Sequence, residues 1–237
     1  MCNKNLTIPF PISLEHIPYL WERSDVLILL VDLDNYDTFN TDCLGRIEIE
    51  HLEGLQTSYF KKRYTVSRMV LKHILCSILN ERSASDISTY KDGNGRVCIH
   101  NHNEMYICIS YTENIAALAI SKVEVGIDIE LGRTLALKNT LKFLREKSSF
   151  TDKPLSKTDI LKTWTLKEAY CKFSNKNMLP NLNKYLNLSS VSHSSYFLDN
   201  KYIFSVITHS GSHILNINHL QKIDCNWNWM CSIKYKI

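Results

Sequence analysis

The apolar and polar positions divide the chain into a few patterned segments. Val26–Leu33 is a nearly unbroken apolar run of strand length and predicts a buried strand. Arg46–Glu50 alternates and predicts a short half-buried one. Between Tyr59 and Asn80, Tyr64, Met69, Leu71, Ile74, Leu75, Ile78 and Leu79 recur at helical spacing, which predicts one long helix. Lys91-Asp92-Gly93-Asn94-Gly95 has turn chemistry. Tyr106–Ser110, Ile115–Ser121 and Val123–Glu130 are strand-like runs with short polar breaks, and predict an antiparallel meander. Leu135–Lys147 and Lys157–Phe173 predict helices, the second opened by a Ser156–Asp159 capping box. Ser174–Leu188 is Asn-rich and predicts a loop, and Tyr202–Thr208, His213–Ile217 and Trp229–Lys236 predict strands. Each half holds one long helix and several strands, without an exact repeat. The expected fold is α+β with two similar halves, residues 1–124 and 125–237.

Composition narrows the chemistry. The chain has 7 glycines in 237 residues, about half the usual share of roughly 7%. The only G-x-G is Gly93-Asn94-Gly95, the third glycine of a dinucleotide fingerprint is missing, and there is no Walker-type loop. Phosphate handling, if present, therefore falls to side chains and metal. The net charge of +4 permits an anionic ligand without demanding nucleic acid. No apolar run approaches the roughly 20 residues of a membrane span, and the first residues lack a signal-peptide pattern. A cytoplasmic protein without a membrane partner is expected. The eight cysteines are dispersed with no C-x-x-C, which predicts free thiols. His100/His102 and His209/His213 have no third ligand at zinc-site spacing and predict structural or surface roles. Trp227 and Trp229 fit either a core or a partner surface.

Two stretches carry candidate chemistry. In a strand over 123–130, Val123, Val125, Ile127 and Ile129 share one face, and Glu124, Gly126, Asp128 and Glu130 share the other. Adjacent carboxylates such as Asp128 and Glu130 repel unless a cation or proton lies between them. Such hard oxygen donors suit Mg²⁺ held through one or two carboxylates plus substrate phosphates. A solvated acidic face on an edge strand is the plainer alternative. In the helix over 157–173, Trp164, Glu168 and Lys172 are four apart and share a face. Glu168 and Lys172 could be a simple surface ion pair, but Trp164 beside them argues for burial, where such a pair is costly.

Taken together, Gly126-Ile127-Asp128-Ile129-Glu130 and Trp164-Thr165-Leu166-Lys167-Glu168-Ala169-Tyr170-Cys171-Lys172 resemble the paired signature of the phosphopantetheinyl transferases. Arg63-Tyr64-Thr65-Val66-Ser67-Arg68, Asn94-Gly95-Arg96 and Ile109-Ser110-Tyr111-Thr112 resemble further parts of that family's pattern, so the similarity covers residues 60–175. The length is similar to the Sfp-type subfamily, a pseudo-dimer of two related α+β halves in one chain. The resemblance implies transfer of the phosphopantetheine arm of coenzyme A to a serine of an apo acyl or peptidyl carrier protein, with release of adenosine bisphosphate. It implies Mg²⁺ on Asp128, Glu130 and Glu168. It implies Glu168 as base for the carrier serine, directly or through a metal-bound water, and Lys172 as contact to the pyrophosphate and helper of the leaving group. It implies Arg68, Arg96 and Ser110 at the nucleotide end of coenzyme A. Tyr111 stands where the family has His. A neutral hydroxyl there implies weaker coenzyme A binding. Val97 replaces the family's Pro, and Asn175, Asn177 and Asn181 replace its Gly-rich segment, Asn being tolerant of left-handed backbone. Lys61 and Lys62 are either phosphate contacts or a solvated face. A monomer acting in fatty-acid, polyketide or peptide biosynthesis is implied. A metal-dependent pyrophosphohydrolase, and a degenerate member that binds without turnover, remain as alternatives.

Overall fold

The computed structural model describes residues 4–7, 10–36, 40–132, 156–178, 180–181, 184, 186–214 and 217–223. The helix expected over 135–147 and the strand expected over 229–236 lie outside them. Helices α1 (Ile17–Glu22), α2 (Arg46–Glu53), α3 (Ser58–Leu79) and α4 (Lys157–Phe173) accompany strands β1 (Lys4–Leu6), β2 (Val26–Asp32), β3 (Thr89–Lys91), β4 (Val97–Ile99), β5 (Tyr106–Thr112), β6 (Ile115–Ser121), β7 (Val125–Leu131), β8 (Val191–Leu198), β9 (Tyr202–His209) and β10 (Asn218–His219). The fold is mixed α+β. The described strands form a four-stranded sheet in the order β1-β8-β9-β7 and a six-stranded sheet in the order β10-β2-β6-β5-β4-β3.

Strand β2 is apolar throughout because both of its faces are covered. Leu27, Leu29 and Val31 join a core with α3 residues Val66, Val70 and Ile74. Val26, Ile28 and Leu30 join a second core with Val125, Ile127 and Ile129 of β7. Helix α3 thus lies on one face of the six-stranded sheet, and the four-stranded sheet lies on the other. Helix α4 covers the four-stranded sheet from the far side, with Leu166 and Ala169 against Ile207. Small residues allow the sheets to meet closely: Ala117 and Ala119 of β6 face β7. One edge strand of each sheet comes from the other half of the chain: β1 pairs with β8 in the four-stranded sheet, and β10 pairs with β2 in the six-stranded one. Among the described residues, no helix is long and apolar enough to cross a membrane.

Three expectations are overturned. The meander ends at β6, because both edges of β6 are occupied, by β2 and by β5. Strand β7 leaves that sheet and pairs antiparallel with β9. Residues 46–50 form part of helix α2, despite their alternation. Glu48 closes a capping box on the Gly45 N–H at 2.9 Å and is buried against Lys72 at 2.5 Å, with the Thr89 hydroxyl donating to its other oxygen. This buried pair sets the rotation of α2, so Glu48 is 2% exposed while Ile47 is 57% exposed, the inverse of the strand reading. In place of the strand expected over 213–217 there is a single bridge at Ile214, followed by β10. Residues 215 and 216 lie outside the described set.

Candidate functional site

Strand β7 is the outer strand of its sheet, so one row of its backbone groups lacks a strand partner. Side chains take that place. The Ile127 N–H donates to Cys108 Sγ at 3.3 Å, and the Ile129 N–H donates to Ser110 Oγ at 3.3 Å. The Lys172 ammonium of α4 donates to the Ile127 carbonyl at 3.1 Å. It also donates to Asp128 Oδ1 at 2.7 Å and to Ser110 Oγ at 3.0 Å. The Ser110 hydroxyl spends its one proton on Asp128 Oδ1, at 2.6 Å. Asp128 is 2% exposed, which removes the reading of a solvated acidic edge. Its Oδ2 has no hydrogen-bond partner among the described residues.

Helix α4 reaches β7 because position 126 is glycine. A Cβ there would lie 1.9 Å from the Ala169 carbonyl oxygen and 2.5 Å from the Phe173 nitrogen. The backbones touch, Ala169 is fully buried, and Glu168 and Lys172 are carried beside Asp128. The expected capping box opens the helix, with the Asp159 N–H donating to Ser156 Oγ at 3.2 Å. Lys172 pairs with Asp128 rather than with Glu168, so the i,i+4 bridge is not formed.

Burial pushes the Glu168 carboxyl up to about 8, reinforced by the negative charge of Asp128 and opposed by Lys172. Burial and Asp128 likewise push Glu130 up to about 7. Burial works against the charge of Lys172, but Asp128, Cys108 and Glu168 more than offset it and hold the ammonium above the ordinary lysine range. Both raised carboxyls keep their protons in the fold at pH values where the unfolded chain, near 4.5, has lost them. Stability of the metal-free protein should therefore fall as pH rises from about 5 to about 8. We expect a drop in melting temperature on the order of 5 °C across that window, with most of it regained on adding Mg²⁺ at pH 8. Calorimetric scans at several pH values check this, and a flat profile would contradict it.

The donor set fits Mg²⁺ in kind. Asp128, Glu130 and Glu168 offer carboxylate oxygens whose mutual repulsion a cation would relieve, a repulsion that otherwise leaves Glu168 sharing its proton with Asp128. Among the described residues, no three acidic, His or Cys side chains stand together as a preformed metal cage. Mg²⁺ bound through few carboxylates and substrate oxygens needs no such cage.

Above Lys172 opens a cavity of about 460 Å³, lined from α2, α3, the β3–β4 turn, β5, α4 and the segment after it. Among the described residues its lining includes Arg63, Arg68, Lys91, Arg96, Lys172 and Lys176, against the single carboxylate Glu168. Arg68 is 3% exposed, and its Nε and Nη1 have no hydrogen-bond partner among the described residues. Unpaired buried donors are costly, and an anion would satisfy them. Burial and then the charge of Arg68 depress Lys91, while burial, Lys91 and Arg68 depress His51. Burial dominates both shifts, and the neighbouring cations add to it.

Of the residues singled out in the sequence, Arg68, Arg96, Tyr111, Glu168 and Lys172 line this cavity. Ser110 and Asp128 lie against the Lys172 ammonium, and Glu130 adjoins them without lining the cavity. Of Lys61, Lys62 and Arg63, only Arg63 lines it, with its guanidinium 4.2 Å from the Tyr111 ring centre. The Tyr111 hydroxyl is engaged with Ser67 Oγ at 2.6 Å. Of the three asparagines expected to supply left-handed backbone, Asn175 does so at φ 48°, whereas Asn177 and Asn181 do not have positive φ. Sequence reasoning missed His51, Lys91 and Lys176. His51 was hidden by the misread strand, whereas Lys91 flanks a recognisable turn. Cys98, Cys108 and Cys171 are free thiols. No protein-family model matches the chain, and neither does any curated protein.

Proposed function

We propose that the protein is a Mg²⁺-dependent phosphopantetheinyl transferase acting on coenzyme A and an apo acyl or peptidyl carrier protein. The observation that carries this reading is a cationic cavity ending at a carboxyl with a raised pKa, Glu168, and at a lysine fixed by Asp128 and Ser110. Held by Asp128, Glu130 and Glu168, Mg²⁺ would neutralise the pyrophosphate of coenzyme A. Arg68 and Arg96, with Ser110 and Tyr111 beside them, receive the nucleotide end. Ionised Glu168 takes the proton of the carrier serine, a role suited to a pKa near working pH. The serine oxygen bonds to the phosphorus bearing pantetheine. The bridging P–O bond breaks, and its electron pair leaves with adenosine bisphosphate. The Lys172 ammonium compensates the charge that develops on the leaving oxygen.

In this reading the two sheet-and-helix units are related halves of an internal pseudo-dimer, divided near residue 124 except that β1 and β10 each join the other half's sheet. One chain then supplies both walls of the cavity and acts as a monomer in the cytoplasm. Support comes from each sheet carrying one long helix, with the cavity lined by both α3 and α4. The test is to incubate the protein with coenzyme A and Mg²⁺, with and without a panel of apo carriers, and to quantify adenosine bisphosphate. Release is expected only with carrier. Carrier-independent cleavage would instead identify a pyrophosphohydrolase, and no release with any carrier would identify a protein that binds without turnover.

A further inference from the structure

The last turn of α4 is gripped from outside by the turn between β3 and β4. Arg96 Nη2 donates to the carbonyls of Lys172 at 3.0 Å and Phe173 at 2.8 Å. Asn175 Nδ2 donates to Asp92 Oδ2 at 2.7 Å. The other oxygen of Asp92 accepts the N–H groups of Asn94 and Arg96, both at 2.9 Å. One carboxylate therefore shapes the hairpin turn and anchors it to the helix. Asn175 also ends the helix internally: its N–H donates to the Lys172 carbonyl at 3.3 Å, and the Lys176 N–H donates to the Cys171 carbonyl at 2.9 Å. With Asn175 left-handed, this is a Schellman closure. A guanidinium at a helix C-terminus is favourable on dipole grounds, and its bonds to carbonyls are charge-assisted.

Lys172 is consequently held at both ends. Its carbonyl is fixed by a hairpin of the six-stranded sheet, and its ammonium by Asp128 of the four-stranded one. We infer that Asp92, Arg96 and Asn175 form a clasp of positioning residues that sets the Lys172 ammonium at the cavity floor. Arg96 thereby works through the backbone of Lys172 as well as facing the cavity. The catalytic use of the clasp rests on the transferase reading, but its existence does not.

Asn175→Gly and Arg96→Lys test it. Glycine keeps the left-handed backbone without strain and loses only the bond to Asp92. Lysine keeps a cation but cannot span two carbonyls as a guanidinium does. The readout independent of activity is acetylation of Lys172 by acetic anhydride in the ligand-free protein, followed by mass spectrometry against exposed lysines. Loosening the ammonium from Asp128, Ser110 and the Ile127 carbonyl should free it for reagent and raise Lys172 labelling roughly tenfold, as expected for loss of one hydrogen bond to a charged group. Melting temperature should stay near that of the wild type. In the transfer assay, kcat should fall about tenfold or more, with KM for coenzyme A little changed in Asn175→Gly, as expected when a reacting group is displaced by a fraction of an ångström. Wild-type labelling in both variants would overturn the clasp. Raised labelling with unchanged kcat would overturn its catalytic use. If the wild type transfers nothing, the transferase reading fails and labelling alone still decides whether the clasp exists.

Discussion

Replacing Glu168 with Gln is expected to lower carrier modification about a thousandfold, in the range for loss of a positioned base. Gln keeps the size and hydrogen-bonding capacity of the side chain but can neither accept the serine proton nor bring charge to a metal. Glu168 lies on a buried helix face beside Asp128, and its raised carboxyl, at about 8, reflects that burial and repulsion. The same substitution removes an ionisation that opposes folding at high pH. The variant should therefore be at least as stable as the wild type at pH 8, and its melting temperature should vary less with pH. Inactivity with gained stability separates a functional carboxylate from a structural one. Near wild-type transfer by Glu168→Gln, measured as initial rate at saturating coenzyme A, would remove Glu168 from both of its proposed roles.

Gly126→Ala should be the most damaging single methyl group in the protein. The new Cβ would meet the Ala169 carbonyl at 1.9 Å, the Phe173 nitrogen at 2.5 Å and the Phe173 Cβ at 2.8 Å. Two of these are backbone atoms of α4, so no rotamer change relieves the clash, and the helix must move from the strand. A loss of about 3 kcal/mol or more is expected, at the upper end for overpacked cores. Displacing α4 also pulls Lys172 from Asp128 and Ser110, so the folded fraction should transfer poorly. Denaturant unfolding checks the first effect. A change within about 0.5 kcal/mol, the range typical of surface substitutions, would mean that α4 does not rest on β7 as described.

Much of this site was legible because its residues obey local rules. Alternation along β7 placed Val125, Ile127 and Ile129 on one face and Gly126 and Asp128 on the other, and the structure keeps that division. Helical spacing placed Glu168 and Lys172 together, and Ser156 and Asp159 marked where α4 begins. What failed depended on distant partners. Alternation in Arg46–Glu50 fits a strand until Lys72, in another helix, claims Glu48. The third meander strand reads correctly as a strand, but its partner was unreadable because β2 had already taken the free edge of β6. Strand β8 escaped notice because Val191–Leu198 is rich in Ser and only Leu198 in it is fully buried. Arg96 was singled out for a ligand, while its bonds to the end of α4 join residues 76 and 77 positions apart, beyond the reach of any sequence pattern.

The central claim is that this chain moves phosphopantetheine rather than merely binding or cleaving coenzyme A. The most direct measurement is the intact mass of apo carrier proteins after incubation with the protein, coenzyme A and Mg²⁺. A single gain equal to one phosphopantetheine is expected, located on one serine and abolished by chelation of the metal. Unmodified carriers across fatty-acid, polyketide and peptidyl types would contradict it.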